Sequence, residues 1–311
     1  MKNYAFGIDV GGTTVKMGLF TTEGEIVNKW EIPTNTADGG VHIIDDIVKA
    51  INDELSSKNI SMDDVEGVGV GIPGPVNKDG VVNKCVNLGW GVTPLREKME
   101  EKLGVKVRVG NDANVAALGE CWMGGGKGYS DMILLTLGTG VGGGIVIDGK
   151  LVVGVGGSAA EIGHMKVDYD ETESCNCGGK GCLEYYASAT GIARMAKRMR
   201  PSFKGETCLD ATEGIAKDVF DGAKAGDEFC LMVADKVSNI LGKAIANLAA
   251  VTDPSVFVIG GGVSKAGSIL TDAVEKYYKE YAFHACSSAK VVIATLGNDA
   301  GMYGCVKLLL D

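Results

Sequence analysis

The 311-residue chain lacks the excess of positive charge that marks several classes of protein. Its 30 lysines and arginines are outnumbered by 40 aspartates and glutamates, so the formal net charge is −10. No run of basic residues offers the cationic face that binding to duplex nucleic acid or to an anionic membrane requires. We therefore expect neither nucleic acid nor a membrane as a partner.

Long hydrophobic runs are also missing. No apolar stretch reaches about 18 residues without charges or turn signals, so we expect no membrane-spanning helix. The opening MKNYAFGIDVGG has no apolar core of the kind found in signal peptides. We expect a cytoplasmic protein, in which nine cysteines are reduced thiols or metal ligands rather than a disulfide framework.

Glycine, by contrast, is abundant, with 47 residues grouped in short clusters beside apolar runs. The segment YAFGIDVGGTTVKMGLF predicts a strand, a glycine turn and a second strand, and ILLTLGTGVGGGIVIDGKLV repeats this plan. A tight hairpin turn is expected at Asp148-Gly149. Helical patterns fall between the strands, and this alternation predicts an α/β fold with mixed sheets and two lobes.

The two strand-glycine-strand units favour a duplicated α/β domain, with two unrelated hairpins as the alternative. We place the smaller lobe at residues 1–115 and the larger lobe at residues 116–299. The last helix, at about 300–311, is expected to pack on the smaller lobe.

Three glycine clusters at strand ends could present backbone N–H groups to phosphate oxygens. Their residues are Asp9, Gly11, Gly12, Thr13, Thr14 and Lys16, then Gly138, Thr139 and Gly140, then Gly260, Gly261 and Gly262. Asp9 would hold Mg²⁺ directly or through water, and Lys16 would meet phosphate charge. No GxxxxGK[ST] motif is present, and neither of the first two clusters leads directly into a helix. Each cluster alone could be a plain glycine hairpin, but three together favour a nucleotide held in a cleft between lobes.

Six segments carry a resemblance to a known family. They are GIDVGGTTVKMGLF, GIPGPV, NDANVAALGE, LGTGVGGGI, EIGHMKV and CNCGGKGCLE, in this order over nearly the whole chain. Together they resemble the ROK family (repressor, open reading frame, kinase), and within it the bacterial glucokinases. The resemblance implies the actin-like (RNase H-like) ATPase fold, with a ligand cleft between two lobes. Repressor members carry a helix-turn-helix domain before the first glycine loop; Asp9 lies nine residues into this sequence, so we expect an enzyme.

The resemblance also implies a catalytic base. Asp112 would accept the proton of the sugar's 6-hydroxyl as that oxygen attacks the γ-phosphate, and Asn111 would bind a neighbouring hydroxyl. From the residues alone, an Asn or Asp here serves equally well as a helix N-cap. A second pair, Asn298-Asp299, precedes the last helix and is predicted to cap it and to contribute near the nucleotide.

Other sugar contacts follow from the same resemblance, which assigns them to Gly71, Glu161, His164 and Glu184. Without it, Glu161 and Glu184 would be interpreted as solvated surface carboxylates. Carboxylates accept hydrogen bonds from sugar hydroxyls with charge-assisted strength, which makes the assignment chemically coherent.

Cys175, Cys177 and Cys182 lie close together, and His164 precedes Cys175 by eleven residues. Three thiolates and one imidazole suit a structural, tetrahedral Zn²⁺ site, with a disulfide or three unrelated thiols as alternatives. Zinc on one ring nitrogen would leave the other protonated and able to donate to the sugar. The remaining cysteines are expected to be small buried hydrophobic residues without partners; they are Cys85, Cys121, Cys208, Cys230, Cys286 and Cys305.

The resulting prediction is ATP-dependent phosphorylation of glucose at O6, with Mg²⁺, structural Zn²⁺ and a homodimeric or tetrameric assembly. Alternatives are another hexose substrate, such as N-acetylmannosamine, fructose or allose, and polyphosphate in place of ATP. Two further alternatives are a sugar-sensing protein without catalysis and an unrelated zinc-stapled ATPase.

Overall fold

The computed structural model describes residues 2–210 and 214–311, and within them it forms two five-stranded sheets and a two-stranded ribbon. The strands are β1 (Tyr4–Val10), β2 (Thr14–Thr21), β3 (Ile26–Pro33), β4 (Val65–Ile72), β5 (Val81–Val82), β6 (Thr93–Pro94), β7 (Lys106–Asn111), β8 (Met132–Leu137), β9 (Val141–Ile147), β10 (Lys150–Leu151), β11 (Val256–Gly260) and β12 (Lys290–Ile293). The helices are α1 (Ala37–Gly40), α2 (Ile43–Lys58), α3 (Leu95–Leu103), α4 (Asp112–Met123), α5 (Leu183–Ala187), α6 (Ala189–Met199), α7 (Ala216–Lys224), α8 (Glu228–Thr252), α9 (Ser268–Tyr281) and α10 (Ala300–Leu310).

The first sheet has the strand order β3-β2-β1-β4-β7. Strands β1, β2 and β3 are antiparallel neighbours, whereas β4 runs parallel to β1 and β7 parallel to β4. Alternate residues of β1 divide between the two faces, as period-2 geometry requires. Phe6 and Ile8 join a core with Ile43, Ile47 and Ile51 of α2. The sheet is thus mixed, as the sequence pattern predicts.

The opposite face of the first sheet is covered by α10. Ala5 and Phe20 pack there with Met302, Val306 and Leu309. Glycines let the helix approach the sheet closely, because a Cβ at Gly69 would lie 1.8 Å from the Cys305 carbonyl oxygen. A Cβ at Gly304 would lie 1.6 Å from a backbone oxygen of α4, so α4 and α10 also touch through their backbones. No larger side chain fits at either position.

The second sheet has the order β10-β9-β8-β11-β12. Strand β11 lies between β8 and β12, runs parallel to both and is buried along its whole length. Such continuous burial is typical of a strand covered on both faces. The β9–β10 hairpin turns at Asp148 and Gly149, whose φ angles of 50° and 73° are both left-handed, which confirms the predicted tight turn.

The chain divides into two compact units. The first comprises Met1–Gly128, Gly144–Ala160 and Asn298–Asp311, and the second comprises Tyr129–Gly143 and Glu161–Gly297. The lobes assigned from the sequence, at residues 1–115 and 116–299, stay a prediction. Among the helices of the described ranges, none combines the length and the apolar character needed to cross a lipid bilayer.

Candidate active site

Strand register brings three of the sequence motifs in the first unit to one sheet edge. Asp9 of β1 pairs with Gly71 of β4, and Gly71 pairs with Gly110 of β7. Since these strands are parallel, their carboxyl ends lie side by side, and Asn111 and Asp112 follow directly after Gly110. The carboxyl ends of parallel strands are where open α/β sheets bind ligands. Asp9, Gly71, Asn111 and Asp112 therefore form one group.

The first glycine loop connects β1 to β2 at this edge. The Gly11 N–H donates to the Thr14 carbonyl oxygen at 2.9 Å, and the Thr34 hydroxyl donates to the Gly11 carbonyl at 2.7 Å. Gly12 and Thr13 are exposed at the tip of this turn. The loop is thus held at its base while its tip faces solvent, which suits a phosphate-binding turn.

Asp9 has an unusual electrostatic environment. Burial raises the pKa of its carboxyl from 3.8 to about 6; the Lys16 ammonium opposes this rise, and the Asp112 carboxylate adds to it. Lys16 is the register partner of Asp9 on β2. A Cβ at Gly301 would come within 2.7 Å of Asp9 Oδ2, so the carboxylate rests against the first turn of α10. A cation placed here would relieve the repulsion between two carboxylates.

Asn111 and Asp112 divide two tasks between them. Asn111 is the N-cap of α4, and its Oδ1 accepts the Asn114 N–H at 3.1 Å. Asp112 begins the helix, and its Oδ1 accepts the Ala113 N–H at 2.8 Å and the Asn111 side-chain amide at 2.9 Å. The amide of Asn111 also donates to the Gly74 carbonyl at 3.3 Å. The N-cap alternative is therefore satisfied by Asn111, and it does not account for the carboxylate of Asp112.

In the second unit, the second glycine loop connects β8 to β9. The Gly138 N–H donates to the Gly140 carbonyl oxygen at 2.9 Å, which closes the turn. The Ala189 N–H donates to the Gly138 carbonyl at 2.8 Å, and the Thr190 hydroxyl donates to the Thr139 carbonyl at 3.3 Å. The start of α6 therefore holds this loop in place.

Glu184, in the first turn of α5, links the second glycine loop to the cysteine cluster. Its Oε2 accepts the Val141 N–H at 3.0 Å, and its Oε1 accepts from the Cys175 thiol at 3.4 Å. A Cβ at Gly140 would lie 2.4 Å from Glu184 Oε2, so only glycine admits the carboxylate at that distance. Glu184 is half-buried and bonded, not a solvated surface carboxylate.

The cysteine cluster assembles as its spacing predicts. The ligand atoms of His164, Cys175, Cys177 and Cys182 all lie within 4.8 Å of one another. The sulfur atoms of Cys177 and Cys182 are 3.7 Å apart, too far for a disulfide. His164 ends a 3-10 turn that begins at Ile162, directly after the exposed Glu161.

Two polar groups around this cluster favour thiolate. The Lys166 ammonium lies 3.0 Å from the Cys182 sulfur. The Gly179 N–H holds the pKa of Cys177 below its ordinary value, and Lys166 lowers it further. Burial acts in the opposite direction at Cys175 and raises its pKa to about 11. A divalent cation would offset this burial cost, because it binds thiolates and not thiols.

The third glycine loop, which the sequence predicts to bind nucleotide, borders a cavity whose α7 wall no sequence motif indicated. Gly260 ends β11, and Gly261 and Gly262 follow it into a 3-10 turn. Gly262 and Val263 line a cavity of about 360 Å³, and Ile215 and Phe220 line it from α7 and its N-cap. Ile215 and Val263 lie almost fifty positions apart in the sequence, and only folding brings them together.

Two predictions outside the site are wrong. Asp299 lies at the N-cap position of α10 but makes no side-chain cap bond, because its Oδ2 pairs with the Lys29 ammonium at 2.6 Å. Cys208 is exposed and Cys121 is half-buried, although Cys85, Cys230, Cys286 and Cys305 are buried as expected. Cys208 is also not isolated, because its sulfur lies within 4.8 Å of the Cys230 sulfur and of the Asp227 carboxylate. Cys208 lies outside the helices and strands, before α7, where the sequence has no periodic apolar pattern that would predict burial.

Comparison with known proteins identifies the family of this chain. Residues 5–311 match the ROK family. The glucokinase of Halalkalibacterium halodurans is 50% identical over 304 residues, which cover 96% of this chain and 92% of that protein. A ROK family glucokinase from Streptomyces griseus, solved with glucose and AMPPNP, is 34% identical with a TM-score of 0.73, covering 98% of each chain. A ROK hexokinase from Thermus thermophilus is 28% identical with a TM-score of 0.79, covering 98% of this chain and 97% of that one.

The α/β architecture with mixed sheets is the actin-like (RNase H-like) ATPase fold of those solved structures, which confirms the predicted fold class. The chain belongs to the ROK family.

Proposed function

We propose that this protein catalyses ATP-dependent phosphorylation of glucose at O6. The observation that carries the proposal is the 50% identity to a glucokinase along almost the entire chain. It is supported by likeness to a structure that was solved with glucose and an ATP analogue. The convergence of Asp9, Gly71, Asn111 and Asp112 at one sheet edge fits the same chemistry.

In this proposal Asp112 is the general base. The 6-hydroxyl oxygen attacks the γ-phosphorus, the bond from that phosphorus to the β-γ bridging oxygen breaks, and ADP leaves. The proton of the hydroxyl passes to the Asp112 carboxylate. Asn111 and the Ala113 N–H both donate to Asp112 Oδ1, so they orient the carboxylate before the reaction. Orientation matters more than basicity, because phosphoryl transfer passes through a loose transition state.

The nucleotide would be held by all three glycine loops. Gly11, Gly12, Thr13 and Thr14 would donate to phosphate oxygens, as would Gly138, Thr139 and Gly140. Lys16 would meet phosphate charge, and Asp9 would bind Mg²⁺ directly or through water. Mg²⁺, when bound, neutralises charge on the phosphates. The cavity beside Gly260, Gly261 and Gly262 has the apolar walls that an adenine base needs.

The sugar would be recognised by Gly71, Asn111, Glu161, His164 and Glu184. Glu184 and His164 are joined through Cys175, which donates to Glu184 and shares the cysteine cluster with His164. A rigid cluster would therefore fix the carboxylate and the imidazole together. Hydrogen-bonding groups held in this way can tell one hexose from another by single hydroxyls.

Structural Zn²⁺ fits the Cys₃His cluster. Zn–S bonds of about 2.3 Å in a tetrahedron place two sulfurs about 3.8 Å apart. Cys177 and Cys182 have their sulfurs 3.7 Å apart, close to that edge length. His164, Cys175, Cys177 and Cys182 would fill all four positions, so zinc would order the loop and leave the chemistry to Asp112. Lys166 would balance the excess negative charge of three thiolates.

We extend the proposal to the cellular setting. None of the nine cysteines, all of which lie in the part of the chain that the structure describes, forms a disulfide, which suits the reducing cytoplasm. A homodimer or tetramer is proposed from family resemblance, and light scattering on the purified protein would measure it.

The experiment that tests the function is an assay coupled to ADP release, run over a panel of hexoses with ATP or polyphosphate. We expect glucose with ATP to give the highest kcat/KM. Asp112→Ala should fold, keep glucose affinity within about tenfold, and lose about 10²–10⁴ in kcat. Asp79→Ala, which changes an exposed aspartate of the same unit, is the matched control. Near-full turnover by Asp112→Ala would remove this residue from the mechanism.

A further inference from the structure

A second cavity in the second unit is lined by none of the residues assigned above. Its volume is about 320 Å³, within the range of small-molecule sites. Its lining residues are Val167, Asp168, Tyr185, Tyr186, Gly191, Arg194, Met195, Arg198, Met199, Lys236, Asn239, Ile240 and Lys243. Those on α6 and on α8 recur every three or four positions, so one face of each helix forms a wall.

The charge of this cavity is opposite to that of the chain. Four cationic side chains line it against one carboxylate, Asp168, in a protein of net charge −10. The Asp168 carboxylate is already bonded, because its Oδ2 accepts from the Tyr186 hydroxyl at 2.9 Å. A cationic concavity on an acidic protein concentrates anions.

Only one of the four cations is matched by carboxylates. Arg198 pairs with Glu171 at 2.6 Å and with Glu173 at 2.7 Å. Arg194 is placed differently: it donates to the Tyr185 carbonyl at 2.8 Å, and its guanidinium carbon lies 4.0 Å from the centre of that ring. These contacts position the guanidinium without neutralising it.

The two lysines of α8 are exposed. The Lys243 ammonium lies 4.7 Å from the ring centre of Tyr281, which attracts a cation but carries no charge. Within the part of the chain that the structure describes, no salt bridge engages Arg194, Lys236 or Lys243. Three positive charges therefore face the cavity without a salt-bridge partner, against the single lining carboxylate of Asp168.

The floor of the cavity is apolar. Met195 is buried, and Met199, Ile240 and Val167 are half-buried beside it. Apolar walls accommodate a carbon skeleton, while the guanidinium fork and two ammonium groups suit an oxyanion with two charges. We propose that this cavity binds a small metabolite bearing a phosphomonoester, at a site separate from the one that would hold ATP and glucose.

Isothermal titration calorimetry on the full-length protein tests this site, in buffer without ATP, Mg²⁺ or glucose. The probes are inorganic phosphate, glycerol 3-phosphate and glucose 6-phosphate, with glycerol as the probe that lacks phosphate. Lys236→Glu and Lys243→Glu reverse the charge of exposed side chains, and Lys197→Glu, on α6 outside the cavity, is the matched control. Circular dichroism verifies that each variant is folded.

We expect at least one phosphate-bearing probe to bind and glycerol to give no heat. Each variant in the cavity should weaken binding about tenfold, whereas Lys197→Glu should stay within about twofold. Equal affinities for inorganic phosphate and for the phosphorylated probes would show that the cavity binds the bare anion. That result would disprove the proposal that the ligand is a phosphorylated metabolite. Binding that is unchanged in both Lys236→Glu and Lys243→Glu takes place at another site and contradicts the proposal. Glucose 6-phosphate bound at the proposed active site would give this result.

Two further results bear on the proposal. If none of the probes binds and Lys236→Glu changes the molar mass in light scattering, the cavity is a subunit interface and the proposal is wrong. The calorimetry contains no ATP or glucose, so its result does not depend on kinase activity. A protein that binds phosphate at this cavity but lacks kinase activity would disprove the proposed function and leave the cavity proposal intact. The two failures are thereby distinguishable.

Discussion

Replacing Asp9 with asparagine removes a buried charge from the edge of the first sheet while nearly preserving its shape. The pKa of this carboxyl rises from 3.8 to about 6, chiefly through burial. Ionised Asp9 therefore costs folding free energy at neutral pH. One pKa unit corresponds to about 1.4 kcal/mol, so the full cost is about 3 kcal/mol.

The sign of the pH dependence follows from linkage. Between pH 3.8 and about 6 the folded protein keeps the Asp9 proton that the unfolded chain releases. Stability from this group is therefore lost as the pH rises, and the cost is complete above pH 6. Asp9→Asn should stabilise the protein by about 3 kcal/mol at pH 8 and by about half as much at pH 5.

Denaturant and thermal unfolding in EDTA, without nucleotide, measure this difference. Asp79→Asn, at an exposed position, is the control and should change stability by less than about 0.5 kcal/mol at either pH. Kinase activity of Asp9→Asn should fall sharply, since the amide cannot replace the carboxylate toward Mg²⁺. An Asp9→Asn protein that is less stable than the parent, or equally stabilised at both pH values, would refute the account of a buried, uncompensated charge.

Three other substitutions have defined outcomes. Cys177→Ser should lose zinc and weaken glucose binding before ATP binding, as metal analysis with paired titrations would measure. Cys286→Ser, outside both cysteine groups, is its control, and unchanged zinc content in Cys177→Ser would contradict the prediction. Gly304→Ala should destabilise the protein by about 3 kcal/mol or more, because its Cβ would lie 1.6 Å from a carbonyl oxygen of α4. Gly91→Ala, with no atom within 4 Å of the new Cβ, should unfold like the parent, and equal denaturation midpoints for both would count against the packing argument. Ile215→Ser changes a side chain that is 58% exposed on the cavity beside the third glycine loop, and should raise the KM for ATP about threefold to tenfold without changing that for glucose.

Local patterns sufficed for the elements that depend on neighbouring residues. Alternation in YAFGIDV predicts β1, and Asp148-Gly149 predicts the hairpin turn, since both depend on short-range geometry. The cysteine cluster was also readable, because three ligands lie in one loop and the fourth lies just upstream. In each case the residues that must meet are close together in the chain.

The features that local sequence patterns did not predict depend on residues far apart in the chain. The side-by-side placement of Asp9, Gly71 and Gly110 follows from strand order, which no local pattern states. Asp299 has a good N-cap residue type, but an ion pair with Lys29, which is 270 positions away, takes its carboxylate instead. The raised pKa of Asp9 likewise needs the burial provided by a helix from the other end of the chain. Long-range competition therefore limits prediction more than local propensity does.

The packing of α10 on β1 has a consequence for biosynthesis. Ala5 and Phe20 are covered by residues of α10, which lie nearly 300 positions further along the chain. That face of the sheet therefore stays exposed on the ribosome until α10 has been synthesised. The second unit is synthesised within that interval, and nascent chains generally fold domain by domain as they emerge. We expect the first unit to complete its core only once α10 has been synthesised, with chaperones protecting the uncovered strands until the helix docks.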